Sequence, residues 1–170
     1  MLAIRSDTQA HPDLYAFMSG SHKSLDGCFE RLMAAVTADD RLGIHTLWCE
    51  LERDLLAHLE AEERYVLPAF ARTDRLEATA LLREHGKIRE QLLELGIGVE
   101  LHTIRLATAA AFIAELRAHA AREDTLLYRW AAERLEPSLR DAARRHIETM
   151  SSSDGTHDAT RGPHAPVQDR

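Results

Sequence analysis

The sequence predicts an all-α protein, an antiparallel four-helix bundle followed by a short C-terminal helix and a disordered tail, and three observations carry that prediction. Apolar residues recur at spacings of three and four along four long segments, the connections between these segments are short, and the β-branched alternation expected of strands is missing. Only Pro12, Pro68, Pro137, Pro163 and Pro166 interrupt the chain. Short connections make consecutive helices antiparallel neighbours, and a bundle of that kind builds its metal and cofactor sites in the interior.

The first helix is expected from about Ser21 to Val36, with Leu25, Phe29, Leu32 and Val36 at helical spacing. The second begins after the sequence TADD, where Asp39 or Asp40 can cap it, and continues to about Phe70 with Pro68 in its last turn. The third starts at Asp74, which with Glu77 three residues later resembles a capping box, and ends near Gly96 and Gly98. The fourth runs from about Leu101 to Leu135, and Pro137 opens a fifth, short helix through SLRDAARRHIE. From Ser151 onward the composition loses periodicity and apolar content, so residues 12–150 form the expected domain and 151–170 a flexible tail.

Length and composition bound the function. At 170 residues with 45% hydrophobic content the chain is one domain with a real core. Its formal charge of −7, with both signs interspersed along the helices, offers no basic stripe for nucleic acid or an anionic membrane. Cys28 and Cys49 make neither a disulfide framework nor a Cys-x-x-Cys pair, which fits a reducing cytoplasm, and both read as half-buried packing residues. No apolar run is long enough to be expected as a signal peptide or a membrane span.

Polar residues on the apolar faces are the informative feature. On the second helix Leu51, Leu55, His58, Glu62 and Val66 share one stripe; on the fourth, Phe112, Leu116, His119, Glu123, Leu126 and Trp130 share another. His22 precedes Leu25 and Phe29 on the core side of the first helix, and His85 lies between Leu81 and Ile88 on the third. A single histidine on an apolar face is more often a satisfied core residue than a ligand, and a His/Glu pair four apart is usually a surface interaction. Together, six such groups without a shared partner would cost several kcal/mol. A metal centre is the economical compensation.

The spacing adds internal symmetry. His22 to His85 is 63 residues, His58 to His119 is 61, and Glu62 to Glu123 is also 61. The chain thus reads as two hairpins, each with a lone histidine followed by His-x-x-x-Glu. Four imidazoles and two carboxylates suit two metals, with the carboxylates able to bridge and one position open on each ion. Nitrogen and oxygen donors without thiolate favour iron or manganese, with zinc a possible substitute. Histidine precedes glutamate by four, the reverse of the ferritin-like Glu-x-x-His pattern.

This set, His22, His58-x-x-x-Glu62, His85 and His119-x-x-x-Glu123, with EERYVLP after the first pair, resembles the hemerythrin-like or HHE cation-binding domains over about residues 12 to 135. The resemblance implies an up-and-down four-helix bundle with a non-haem di-iron centre, carboxylate- and oxo- or hydroxo-bridged, that meets dioxygen, nitric oxide, peroxide or iron itself. It makes His22, His58, His85 and His119 terminal ligands and Glu62 and Glu123 bridges. Oxygen-carrying hemerythrins have a further histidine one turn after the third-helix ligand, where this chain has Arg89. That departure points to sensing, detoxification or iron handling rather than dedicated oxygen transport. The alternative is a non-catalytic metal-binding, iron-handling or sensory module read by a partner protein.

Several neighbours have two readings. The Tyr65 hydroxyl could reach the site, although core or rim packing is the commoner role for such a residue. Glu63 reads as an outer or surface residue rather than a ligand. His45 and His102 lie about 20 Å and 25 Å along their helices from His58 and His119, too far to join the same centre. Asp124 follows His119 by five, the spacing at which oxygen carriers place an aspartate, and competes with Glu123 for the bridging role. His146, His157 and His164 receive no assignment.

Overall fold

The computed structural model describes residues 13–152. Seven α-helices and one π-helical turn lie in this range: α1 (Leu14–Thr37), α2 (Arg41–Ala61), the π turn (Glu62–Val66), α3 (Leu67–Phe70), α4 (Arg75–Glu100), α5 (Leu106–Thr125), α6 (Leu127–Arg134) and α7 (Pro137–Ser152). They stack into five rods, since the π turn joins α2 to α3 and a single distorted residue, Leu126, joins α5 to α6. The fold is the expected all-α, antiparallel bundle. α1 packs on α2 and α5, and α4 packs on the same two helices, which closes the four-rod ring; α7 lies across α1, α2 and the π turn.

Local chemistry explains most of the boundaries. Asp40 caps α2 by accepting the Gly43 N–H at 3.0 Å, while Asp39 takes the left-handed conformation (φ 53°) that ends α1. Asp74 caps α4 by accepting from Glu77 N at 2.9 Å. The Glu77 carboxylate does not return the bond; it pairs with Arg122 instead.

Four boundaries differ from expectation. α1 starts at Leu14 rather than Ser21, because Asp13 accepts from Tyr15 N and the buried Leu14 and Met18 extend the apolar stripe by two turns. α4 runs through Gly96 and Gly98 to Glu100. Gly96 is there for packing: a Cβ would stand 3.3 Å from Trp48 Nε1. The stop comes later, where His102 adopts φ 54° and the Thr103 and His102 amides return to the Gly98 and Val99 carbonyls at 2.8 and 3.1 Å, a Schellman closure. The fourth rod consequently begins at Leu106, not Leu101. α7 continues through Ser152, so the first two residues assigned to the tail are helical; the rest of the tail, with His157 and His164, lies outside the described residues.

Two apolar clusters fill the bundle. One gathers Leu25, Phe29, Leu55, Leu59, Ile88, Leu92, Phe112 and Leu116; the other gathers Leu14, Met18, Ala61, Val66, Leu81, Leu127, Tyr128 and Ile147. On every rod the inward polar residues fall between them: Met18–His22–Leu25, Leu55–His58–Glu62–Val66, Leu81–His85–Ile88 and Leu116–His119–Glu123–Leu127. The polar layer is therefore sealed along the bundle axis by apolar packing on both sides.

Candidate metal centre

All six residues expected at the site converge in this layer. His58, Glu62, His85, His119 and Glu123 are buried, and the His22 side chain is 12% exposed. Their donor atoms form two groups, Glu62, His85, His119 and Glu123 in one and His22, His58 and Glu123 in the other.

Each carboxylate faces both groups. Glu123 Oε2 lies 3.3 Å from His22 Nε2, while its Oε1 lies 3.2 Å from His85 Nε2 and 3.0 Å from His119 Nε2. Glu62 Oε1 lies 3.7 Å from His58 Nε2, and its Oε2 lies 3.4 Å from His85 Nε2. Glu62 Oε2, Glu123 Oε2 and His119 Nε2 are buried without a hydrogen bond of acceptable geometry, so the 3.0 Å approach of His119 to Glu123 is proximity rather than a hydrogen bond. Buried polar atoms are normally satisfied. Orphaned donor atoms that converge on a common centre fit a pair of cations, and the absence of thiolate fits hard or borderline ions.

The opposite nitrogens of the histidines are held from outside. His85 Nδ1 donates to Glu63 Oε1 at 2.9 Å, and Arg89 clamps that carboxylate with two bonds of 2.6 and 3.1 Å. His119 Nδ1 donates to Glu84 Oε2 at 2.7 Å, and Arg122 bonds both Glu84 and Glu77. The other pair is held more lightly: Ser21 Oγ stands 2.9 Å from His58 Nδ1, whereas Asp124 Oδ1 lies 3.4 Å from a His22 Nδ1 that makes no hydrogen bond. Such outer contacts fix which nitrogen faces the centre. Every Nε2 faces inward.

Titration follows from burial and neighbours. Burial, reinforced by the His22 ring, lowers the His58 pKa to about 3. Burial and the Glu123 charge raise Glu62 well above the usual carboxylate range. For Glu123 burial acts upward, but the surrounding His119, His22 and His85 outweigh it and hold the acid well below that range. Burial likewise opposes charge on His119, yet Glu123 and Glu84 leave its pKa raised. The two carboxylates at one centre are thus pushed in opposite directions.

Tyr65 does not reach the centre; its ring packs 5.9 Å from His146, and Tyr128 takes the place instead. The Tyr128 hydroxyl donates to Glu62 Oε1 at 2.5 Å and stands 2.9 Å from His58 Nε2 and 3.2 Å from His22 Nε2. Of the face expected to continue through Leu126 and Trp130, Leu126 turns outward, while Trp130 stays partly buried with its ring 5.2 Å from Phe70. The backbone distortion at Leu126 (φ −113°, ψ −65°) advances the phase, leaving Leu126 45% exposed and turning Leu127, Tyr128 and Ala131 inward. Glu84 and Arg122 also escaped notice; their adjacency to His85 and Glu123 is the only signal the sequence offers. Glu63 occupies the outer position expected of it, and His45 lies away from the centre, paired with Glu100 at 3.2 Å. Cys28 is buried, and Cys49 is exposed rather than half-buried.

A cavity of about 40 Å³ reaches the centre from between α1, α2 and α5. Its walls are Leu25, Phe29, Leu55, Leu59 and Leu116, and it ends on His22, His58, His119 and Glu123. Asp26 and Arg117, joined by a 2.6 Å ion pair, stand at its exposed rim. No helix among the described residues is long and apolar enough to cross a membrane.

Comparison with curated proteins and with solved structures gave no match. The family model described as the hemerythrin HHE cation binding domain matches residues 13–131, the stretch that contains all four site-bearing rods. The buried histidine and glutamate layer is the feature such a cation-binding domain requires, and the chain belongs to the hemerythrin HHE cation binding domain family.

Proposed function

We propose that the protein holds two iron ions, with His22 and His58 binding one and His85 and His119 the other, Glu62 and Glu123 bridging them, and that the centre binds, senses or detoxifies a small oxidant such as dioxygen, nitric oxide or peroxide. The observation that carries this reading is the narrow apolar cavity lined at its inner end by His22, His58, His119 and Glu123, residues of both groups. A purely structural metal site is closed on all sides. A passage of about 40 Å³ has room for a molecule of two or three atoms. Bound iron would supply the redox chemistry. The protein would orient the imidazoles through Glu63, Glu84 and Ser21 and keep bulk water out with the flanking apolar clusters.

Rapid mixing of the reduced, iron-loaded protein with dioxygen, nitric oxide and peroxide tests the proposal. A visible absorption change faster than that of free ferrous iron is expected with at least one of them. Equal or slower rates with all three would sink oxidant chemistry and leave the metal-stabilised module read by a partner.

The Arg89–Glu63–His85 chain gives a second test. Replacing Glu63 by Gln removes the charge that steadies His85 and is expected to weaken metal binding by about 10–100-fold. The control is Arg64→Ala, since Arg64 is exposed and faces Glu60. Competition with a chromophoric chelator measures both; equal affinity in the two variants would show that the outer carboxylate contributes nothing.

A further inference from the structure

The two halves of the centre are not equivalent, and Tyr128 makes the difference. It follows Glu123 by five residues, where the first hairpin has Leu67 five residues after Glu62. Both side chains are fully buried, but Leu67 offers no donor atom. The Tyr128 oxygen therefore sits on one side only, beside His22 and His58, while no tyrosine contacts His85 or His119 among the described residues.

We infer that Tyr128 is a further metal ligand, its Oη completing the half of the centre formed by His22 and His58. The inference rests on the two-metal reading above. Its first support is spacing. Donors that are neighbours around one ion, with bonds of about 2.1 Å, stand about 3 Å apart. Tyr128 Oη lies 2.9, 3.2 and 2.5 Å from His58 Nε2, His22 Nε2 and Glu62 Oε1.

The second support is the hydrogen-bond inventory. A phenol has one proton to give, and here it goes to Glu62, so the two histidine nitrogens must act as donors toward Oη. An ion bound at both Nε2 atoms takes the place of those two N–H groups, each ring's proton moving to Nδ1, which faces Ser21 Oγ on His58 and Asp124 Oδ1 on His22. The lone pairs of an oxygen with no exposed surface then face the ion, and coordination is what satisfies them. On coordination the metal–oxygen bond forms as the O–H bond breaks, the proton leaves to solvent, and no electron is transferred.

The test uses the full chain loaded with ferrous iron and oxidised with ferricyanide. A visible phenolate-to-ferric charge-transfer band is expected, together with phenolate ring modes in the resonance Raman spectrum that shift when ring-deuterated tyrosine is incorporated. Tyr128→Phe is expected to abolish both while keeping two irons per chain, whereas Tyr15→Phe and Tyr65→Phe keep the band; these are the other two tyrosines. If Tyr128→Phe does not fold, the labelled wild type with the Tyr15 and Tyr65 variants still decides. Two irons without phenolate modes, or modes that survive Tyr128→Phe, overturn the ligand assignment alone. A wild type that binds no iron overturns this inference and the proposed function together.

Discussion

Glu123→Gln is expected to bring bound metal well below two per chain, and Asp124→Asn to leave it nearly unchanged. Helix geometry already separates the two side chains. Four residues advance about 400°, placing Glu123 roughly 40° from His119, whereas five place Asp124 roughly 140° away. The structure sharpens the contrast. Glu123 presents Oε2 to His22 and Oε1 to His85 and His119, so both of its oxygens are engaged on different sides of the centre. A glutamine keeps one oxygen, and its amide nitrogen has no lone pair for a cation. Asp124 instead faces the outward nitrogen of His22 and accepts from Ser19 Oγ at 2.6 Å, contacts that an asparagine oxygen can retain. Metal analysis of both purified variants at saturating iron decides the matter. Loss in the Asp124 variant with retention in the Glu123 variant would reverse the bridging assignment.

What the sequence displayed and what it concealed divide along one physical line. The six inward residues were legible because each lies on a straight stretch of α-helix, where spacings of three and four map directly onto a face. Legibility ended at the two distortions. After Glu62 the chain widens into a π turn, and after Glu123 it bends at Leu126; each feature shifts the phase of everything that follows. Val66 stays inward and Trp130 stays partly buried, but Leu126 gives way to Leu127, Tyr128 and Ala131, and the tyrosine that touches the centre was hidden by that shift. The outer carboxylates were hidden for another reason. Glu63 and Glu84 sit beside inward residues rather than a turn away, so their helices give them no inward phase, and they reach the histidines of neighbouring rods. Such pairings depend on how rods pack, which single-helix periodicity does not contain. Gly96 misled the reading in a third way, since a glycine that makes room for Trp48 looks, in sequence, like one that ends a helix.

Removing the metals at neutral pH is expected to lower the melting temperature by roughly 8–16 °C. A ligand that binds only the folded state at about a thousand times its dissociation constant stabilises by about 4 kcal/mol, and a chain of this size shifts by about 2–4 °C per kcal/mol. The layer itself argues for a shift of this order, because without cations it keeps Glu62 Oε2, Glu123 Oε2 and His119 Nε2 buried and unpartnered. The stabilisation should shrink in acid, and the sign follows from which groups hold protons in the metal-free fold. His119 and Glu62 have raised pKa values, so as pH falls through that raised range protons compete with the metal for both and the apparent affinity drops. His58, with a pKa of about 3, is already neutral above that value and adds no competition. Paired melting curves of loaded and chelated protein, on samples whose metal content has been measured, should therefore lie far apart at pH 7.5 and converge towards pH 5. Coincident curves at pH 7.5, with metal shown to be present in one sample and absent from the other, would mean that cations do not hold this bundle together.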